Sequence, residues 1–269
     1  MNTGPYLDSI SIVPNTFGPL AGICVLITRP TILASRIAKQ LAVLGATPFV
    51  FPTILIEPSV DREQLKTKLA SLLGVYAVIF VSPSAVEITL VDGIKLPYSI
   101  KVFAPGLGTA EELNLHGVDN VLTPLRNFDS EGLLQLTDLQ AVHVNGRRIL
   151  IFRGNGGREL LREELAQRGA QVEVITTYHR CIPTTPPTRL LELLTAKKVT
   201  AISIMSSSAV INLVAQVPAL DRKHILFSLP VYASHKRIKA AAEALGFLSV
   251  IETGPGDKGL IAALLNLRN

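Results

Sequence analysis

The chain has no tryptophan, and aromatic residues make up only 5% of its 269 residues. That scarcity excludes a nucleic-acid module built on rows of stacking platforms. Cysteine is nearly missing as well. Cys24 and Cys181 lie far apart and fit neither a CxxC nor a metal-ligand spacing, so neither a disulfide framework nor a zinc ribbon is available. Both sit beside apolar residues and are expected as buried free thiols in a reducing cytoplasm. Long apolar runs are absent: the longest clean one, Val75–Val81, is far short of the ~20 residues a membrane-spanning helix needs. Residues 1–20 carry neither a basic stretch nor a continuous apolar one, so a signal peptide is not expected.

What the chain does have is apolar bulk. Hydrophobic residues reach 48%, charged ones 17%, and the mean hydropathy is +0.39. Such a composition buries a large core and rules out intrinsic disorder. The length suits one large domain or two of roughly 100–130 residues. Lys and Arg number 26 against 21 Asp and Glu, a net charge of +5. A mildly basic surface suits an anionic ligand without naming one.

The sequence repeats itself. Val25–Thr53 aligns without gaps on Ile149–Thr177, matching Leu26, Ile27, Arg29, Leu41, Gly45, Val50 and Thr53 with Leu150, Ile151, Arg153, Leu165, Gly169, Val174 and Thr177. The same offset carries Ala77, Ser82, Ser84, Ala85 and Val86 onto Ala201, Ser206, Ser208, Ala209 and Val210. One offset fitting two separated stretches is hard to reach by chance. Weaker echoes follow, among them Val102–Ala104 with Val231–Ala233 and Gly132-Leu133 with Gly259-Leu260. Two copies at so long a period mean two similar lobes rather than a solenoid.

Each copy has the same grammar. An apolar run (Ile23–Ile27, Ile149–Phe152) reads as a buried strand. A turn and a helical stretch follow, which Gly45 or Gly169 ends at the C-cap. A second strand is expected at Pro48–Phe51 or Val172–Ile175. Later runs, Val75–Val81 and Val199–Met205, end in Ser-rich turns where helices start, because serine caps orphan amides. Val102–Ala104 leads into a helix at Thr109–His116, and Val231–Ala233 into one at Arg237–Leu245. Strands alternating with helices give parallel sheets covered on both faces. The fold expected is α/β, as two doubly wound, flavodoxin- or Rossmann-like lobes. Residues 1–19 read as a loose leader, and proline-bracketed segments near 52–58 and 176–183 read as linkers whose side chains face a cleft.

Cofactor motifs mostly fail. Gly106-Leu107-Gly108 and Gly154-Asn155-Gly156 each begin a GxGxxG, but Glu111 and Glu159 stand at the third glycine position. No Walker A, GxSxG, HExxH or EF-hand spacing occurs, and five scattered histidines offer no metal site. What remains is a set of strand-to-helix turns: Thr28-Arg29, Ser82–Ser84, Gly106–Thr109, Arg153–Arg158, Ser206–Ser208 and Ser234–Arg237. Free N–H groups at a helix start favour carboxylates and phosphates, so several such turns suit a polyanion. Each Ser or Thr is equally well explained as an N-cap, and Arg29 and Arg153 as structural pairing within each copy.

With these pieces in order, the chain resembles the uroporphyrinogen-III synthase family over about residues 22–266. The resemblance rests on Ile27–Pro30 with Leu44-Gly45 and Pro52; on Ile79–Val86; on Gly106–Ala110 with Gly117; on Arg153-Gly154 with Gly157-Arg158; and on Tyr178, Ser206–Val210 and Gly259-Leu260. It implies two α/β lobes joined by a two-stranded linker, with the first β-α-β unit belonging to the C-terminal part. Lobe one would be 20–54 plus 182–269, and lobe two 58–177.

The resemblance further implies a lyase using neither metal nor organic cofactor. Hydroxymethylbilane, a linear tetrapyrrole with eight carboxylates, would lose its hydroxyl as water. The resulting azafulvene cation would close through a spiro intermediate, inverting ring D to give uroporphyrinogen III. Spontaneous closure gives isomer I, so the enzyme must bias geometry. Tyr178 is the expected acid, since a phenol, whose ordinary pKa is about 10, stays protonated at neutral pH; Thr109 is the next candidate. Thr28, Arg29, Ser82, Ser84, Gly108 and Ala110 are expected substrate contacts. So are Arg153, Gly154, Arg158, Ser206, Ser207, Ser208 and Gly259. The sequence departs from the family at Ala233–Ile238, where a hydroxyl turn is missing and His235, Lys236 or Arg237 could take over its contact; His235 and Arg237 are added to the expected contacts. A monomer is expected, without nucleic acid or membrane, with hydroxymethylbilane synthase as the upstream partner. Two rival classes remain: a non-catalytic two-lobed anion binder, which isomer analysis would separate, and a dinucleotide-dependent oxidoreductase, which the failed glycine fingerprints oppose.

Overall fold

The computed structural model describes residues 17–59, 62–184, 186–217 and 220–266; most of the expected leader, residues 1–16, lies outside them. The strands are β1 (Cys24–Ile27), β2 (Thr47–Val50), β3 (Leu55–Pro58), β4 (Val75–Phe80), β5 (Lys101–Phe103), β6 (Val121–Leu122), β7 (Arg148–Gly154), β8 (Gln171–Cys181), β9 (Ala201–Ile204), β10 (Val231–Ala233) and β11 (Val250–Glu252). They form a five-stranded sheet, β11-β10-β9-β1-β2, and a six-stranded sheet, β3-β8-β7-β4-β5-β6. Chain contacts divide the protein into unit one, which runs through Leu55 and resumes at Cys181, and unit two, Ile56–Arg180.

The repeat is visible as topology. Strands β2, β1, β9 and β10 of the first sheet stand in the same order as β8, β7, β4 and β5 of the second. All four pairings of the first sheet are parallel, as are those running from β8 to β6. The innermost strands are apolar throughout because helices cover both faces. In unit two, Val78, Phe80, Leu150 and Phe152 point into one cluster, while Ala77, Ile79, Ile149 and Ile151 point into the other. Phe80 and Phe152 stack at 4.8 Å between ring centroids. In unit one, Leu26 and Ile202 face one cluster and Val25, Ile27 and Ala201 the opposite one. That alternation is the period-two pleat of the strands.

Two sequence readings shift. The helix expected at Thr109–His116 runs Leu107–Leu115. The strand read at Val172–Ile175 continues through Cys181 as β8, whereas its repeat partner β2 stops at Val50. The difference lies in one aligned pair, Pro52 against Thr176. Proline has no N–H to give to a ladder; threonine does, so β8 runs on and delivers Tyr178 and Arg180 to its end.

One core residue carries a test. Tyr232 is buried on β10, and among the described residues its hydroxyl finds no hydrogen-bond partner. Burial pushes this phenol up to about 12 from its ordinary 10.0. Tyr232→Phe is expected to be neutral or stabilising by up to about 1 kcal/mol near pH 7, since it removes an unsatisfied polar atom. The unfolded chain ionises first as pH rises, so Tyr232 costs stability between pH 10 and 12, and the phenylalanine variant lacks that loss. Urea unfolding at pH 8 and pH 11 checks both signs; a variant less stable at both would refute the reading.

Candidate functional site

The chemistry-bearing turns sit at the carboxyl ends of the strands, where ligands bind in open α/β sheets. In unit two, β4 ends at Phe80, and two residues on Ser82 caps helix Pro83–Thr89 by accepting from the Ala85 amide at 3.2 Å. Ser206 caps helix Ser207–Ala215 in unit one, accepting from Ala209 at 3.1 Å. The paired serines of the repeat are therefore both working N-caps. His235 does the same job where a hydroxyl was missing, its Nδ1 accepting from the Arg237 amide at 3.1 Å. Arg237 and Ser208 are exposed. Ser207 Oγ is buried with no partner among the described residues.

Ser82 also does something Ser206 does not. Its Oγ lies 2.9 Å from the Tyr178 hydroxyl, and Tyr178 is fully buried. The ring reaches that place because residue 154 is glycine: a Cβ there would lie 2.5 Å from the Tyr178 ring and 2.9 Å from its hydroxyl. Arg180, two residues further along β8, donates from Nη2 to the same hydroxyl at 3.0 Å. Its guanidinium lies over the ring, 5.7 Å from the centroid, a cation–π distance.

Beside this chain of contacts is a pocket of roughly 190 Å³ within unit two, lined by Val81, Ser130, Arg153, the Gly154–Gly157 turn, Arg158, Arg162 and Arg180. Arg153 is buried and heavily engaged, with Glu159 at 2.9 Å and the Gly154, Gly156 and Arg158 carbonyls around it. Arg162 and then Arg153 hold the Glu159 carboxyl below its ordinary range. Arg158 is exposed and pairs with Glu131. No carboxylate among the described residues pairs with Arg180, so its charge is open to an anion.

Several expected contacts have a structural assignment of their own. Arg29 is buried and bonds Asp257 at 2.5 Å; Arg36 takes the other carboxylate oxygen at 2.9 Å. Thr28 Oγ1 donates to the Ser203 carbonyl at 2.8 Å, tying β1 to β9. Gly259 has no room for a side chain, since a Cβ would fall 2.0 Å from the Gly254 oxygen; its repeat partner Gly132 meets the Asn127 oxygen at the same 2.0 Å. Ser84, Thr109 and Ala110 are buried, and the amides of Thr109 and Ala110 already bond the Gly106 carbonyl. Gly108 has open space where a Cβ would be.

Of the expected site, unit two thus brings together Ser82, Arg153, Gly154, Arg158 and Tyr178, while Thr28, Arg29, Ser206–Ser208, His235, Arg237 and Gly259 belong to unit one. Sequence reading missed Arg180 and Asp257. The i+2 spacing from Tyr178 on one strand face was the available signal for the first. A group of three possible metal ligands also exists: His116 Nε2 is 2.8 Å from Glu87 and 3.8 Å from Glu112. It joins helices Pro83–Thr89 and Leu107–Leu115 near their C-terminal ends.

Comparison with known proteins agrees with this fold. A family model described as uroporphyrinogen-III synthase HemD matches residues 35–262. The chain is 31% identical over 230 residues to the uroporphyrinogen-III synthase of Salmonella typhimurium, covering 84% of this chain and 93% of that one. It is 30% identical over 234 residues to the Escherichia coli enzyme of the same name, with the same coverages. Among solved structures, uroporphyrinogen-III synthetase from Helicobacter pylori superposes with a TM-score of 0.54 at 13% identity, over 91% of this chain and 100% of that chain. A mutant uroporphyrinogen III synthase from Thermus thermophilus gives 0.52 at 19% identity, over 91% and 99%. At such identities the structural likeness speaks for the fold, and the sequence matches speak for the family. No helix among the described residues is long and apolar enough to cross a membrane. The chain belongs to the uroporphyrinogen-III synthase family.

Proposed function

We propose that this protein cyclises hydroxymethylbilane to uroporphyrinogen III, with inversion of ring D and loss of water. The observation that carries the reading, beside family membership, is the Tyr178–Ser82 hydroxyl pair held at the carboxyl ends of β8 and β4 next to an arginine-lined pocket. The reaction needs one proton on a poor leaving group and a shape that holds the chain ends for the unfavoured closure. A phenol and a serine supply the first. Arginines and turn amides supply grips for carboxylates. An upstream hydroxymethylbilane synthase would deliver the substrate, which cyclises unaided and so rewards prompt capture.

The deciding experiment generates hydroxymethylbilane in situ, adds the protein, oxidises the products and separates the uroporphyrin isomers. Isomer III supports the reading. Isomer I alone from folded protein would replace it with non-catalytic anion binding.

Arg158 is proposed as a capture residue, being exposed at the pocket rim. Arg158→Gln is expected to raise KM about 3- to 10-fold, the worth of roughly 1 kcal/mol for a solvent-exposed charge contact, and to leave kcat within a factor of two. Steady-state kinetics at low and high salt measures this; an unchanged KM removes the assignment.

A further inference from the structure

We propose that Arg180 is a positioning residue that fixes the direction of a proton relay, Tyr178 to Ser82, so that the group donating to the leaving hydroxyl is Ser82. The proposal rests on the reaction reading above and deepens it.

The direction follows from counting donors and acceptors. A guanidinium can only donate, so the Arg180 bond to the Tyr178 oxygen occupies an acceptor site there. The phenol must then place its own proton elsewhere. Ser82 Oγ is 2.9 Å away. If Ser82 donated instead, the proton of a fully buried tyrosine would be left without a partner among the described residues, a cost of about 1–3 kcal/mol. Tyr178 therefore donates to Ser82. Ser82 Oγ already accepts from the Ala85 amide, so both its acceptor sites are filled and its own proton points away from the chain of contacts.

Exposure gives the same order. Tyr178 is buried while Ser82 is half-buried, so the serine is the end a ligand reaches. Arg180 suits its place because no acidic partner among the described residues draws it off, and because the glycine at 154 lets the ring lie under it. The duplicated turn in unit one lacks this device: the residue aligned with Tyr178 is Ile54, and Ser206 is a cap alone.

The step balances as follows. The carbon–oxygen bond of the hydroxymethyl group breaks and its electron pair stays with oxygen. That oxygen takes the Ser82 proton and leaves as water. Ser82 takes the Tyr178 proton, and the phenolate so formed faces the Arg180 cation. The proton lost from the pyrrole carbon on ring closure returns to the pair, leaving a net loss of one water.

The test uses the full chain in the isomer assay, with Arg180→Gln, Arg180→Lys, Ser82→Ala, Ser82→Thr and the Ser82→Ala/Arg180→Gln double variant. Arg180→Gln should cut kcat about 10- to 100-fold, part of what a positioned acid supplies, whatever KM rise follows from losing its charge at the pocket. Arg180→Lys, which is a donor only and keeps the positive charge that faces the phenolate, should recover most of it, and Ser82→Thr should outperform Ser82→Ala. The double variant should be no worse than Ser82→Ala, because residues acting as one unit are not additive. An unchanged kcat in Arg180→Gln, or fully additive losses, would overturn the relay while wild-type isomer III keeps the reaction reading. Wild-type protein yielding isomer I alone would overturn the reaction reading, and the relay with it. Ser82→Thr keeps the helix cap, so a folding defect in Ser82→Ala leaves the comparison decidable.

Discussion

Asp257→Ala is expected to destabilise unit one by about 3–5 kcal/mol, the loss found when one partner of a buried ion pair is removed. The carboxylate is 4% exposed and answers two arginines, Arg29 at 2.5 Å and Arg36 at 2.9 Å. Arg29 is 9% exposed, so without Asp257 a cation is left out of water with no counter-charge at the end of β1. Arg36 is partly solvated and loses less. The control is the repeat partner in unit two. Arg153 is equally buried, but Glu159 is 45% exposed, and three carbonyls remain to Arg153 if that carboxylate is lost. Glu159→Ala should therefore cost about 1 kcal/mol or less. Two units need not unfold in one step, so amide exchange at β1 and β9 should accompany the urea titration and place the loss there. Equal effects of the two substitutions would refute the argument from burial.

The same pair of arginines marks how far sequence reading reaches. Arg29 and Arg153 align, and so do Gly132 and Gly259, which meet the same backbone crowding. Two residues before that glycine register, the copies diverge: Asp257 in unit one faces Ser130 in unit two. The carboxylate that holds Arg29 is thus missing beside Arg153, whose partner becomes Glu159, and Ser130 lines the pocket instead. Repeats, strands and serine caps were legible because they are local and periodic. The Arg29–Asp257 pair was not, since its members are 228 positions apart and no periodicity links them. Arg180 was missed for another reason. The segment after Ile175 was read as linker, and only the continuation of β8 past Thr176 turns Tyr178 and Arg180 to one face.

Tyr178→Phe is expected to lower turnover about 10²- to 10⁴-fold, the range a positioned general acid supplies, while the protein stays folded. The two effects separate because the ring and the hydroxyl do different jobs. The ring fills a place in the apolar cluster of unit two and closes over Gly154; phenylalanine keeps all of that contact. The hydroxyl adds two hydrogen bonds, whose loss costs about 1–2 kcal/mol at most. Arg180 is exposed and turns to water, and Ser82 keeps its bond to Ala85, so neither partner is stranded. KM should stay within a few-fold, because a buried phenol has no surface with which to hold substrate. Product chromatography adds a sharper readout than rate. Substrate left unprocessed closes by itself to isomer I, so the variant should show a falling ratio of isomer III to isomer I as well as slower turnover. A folded Tyr178→Phe protein with wild-type turnover would remove the phenol from the chemistry and leave it as a packing residue.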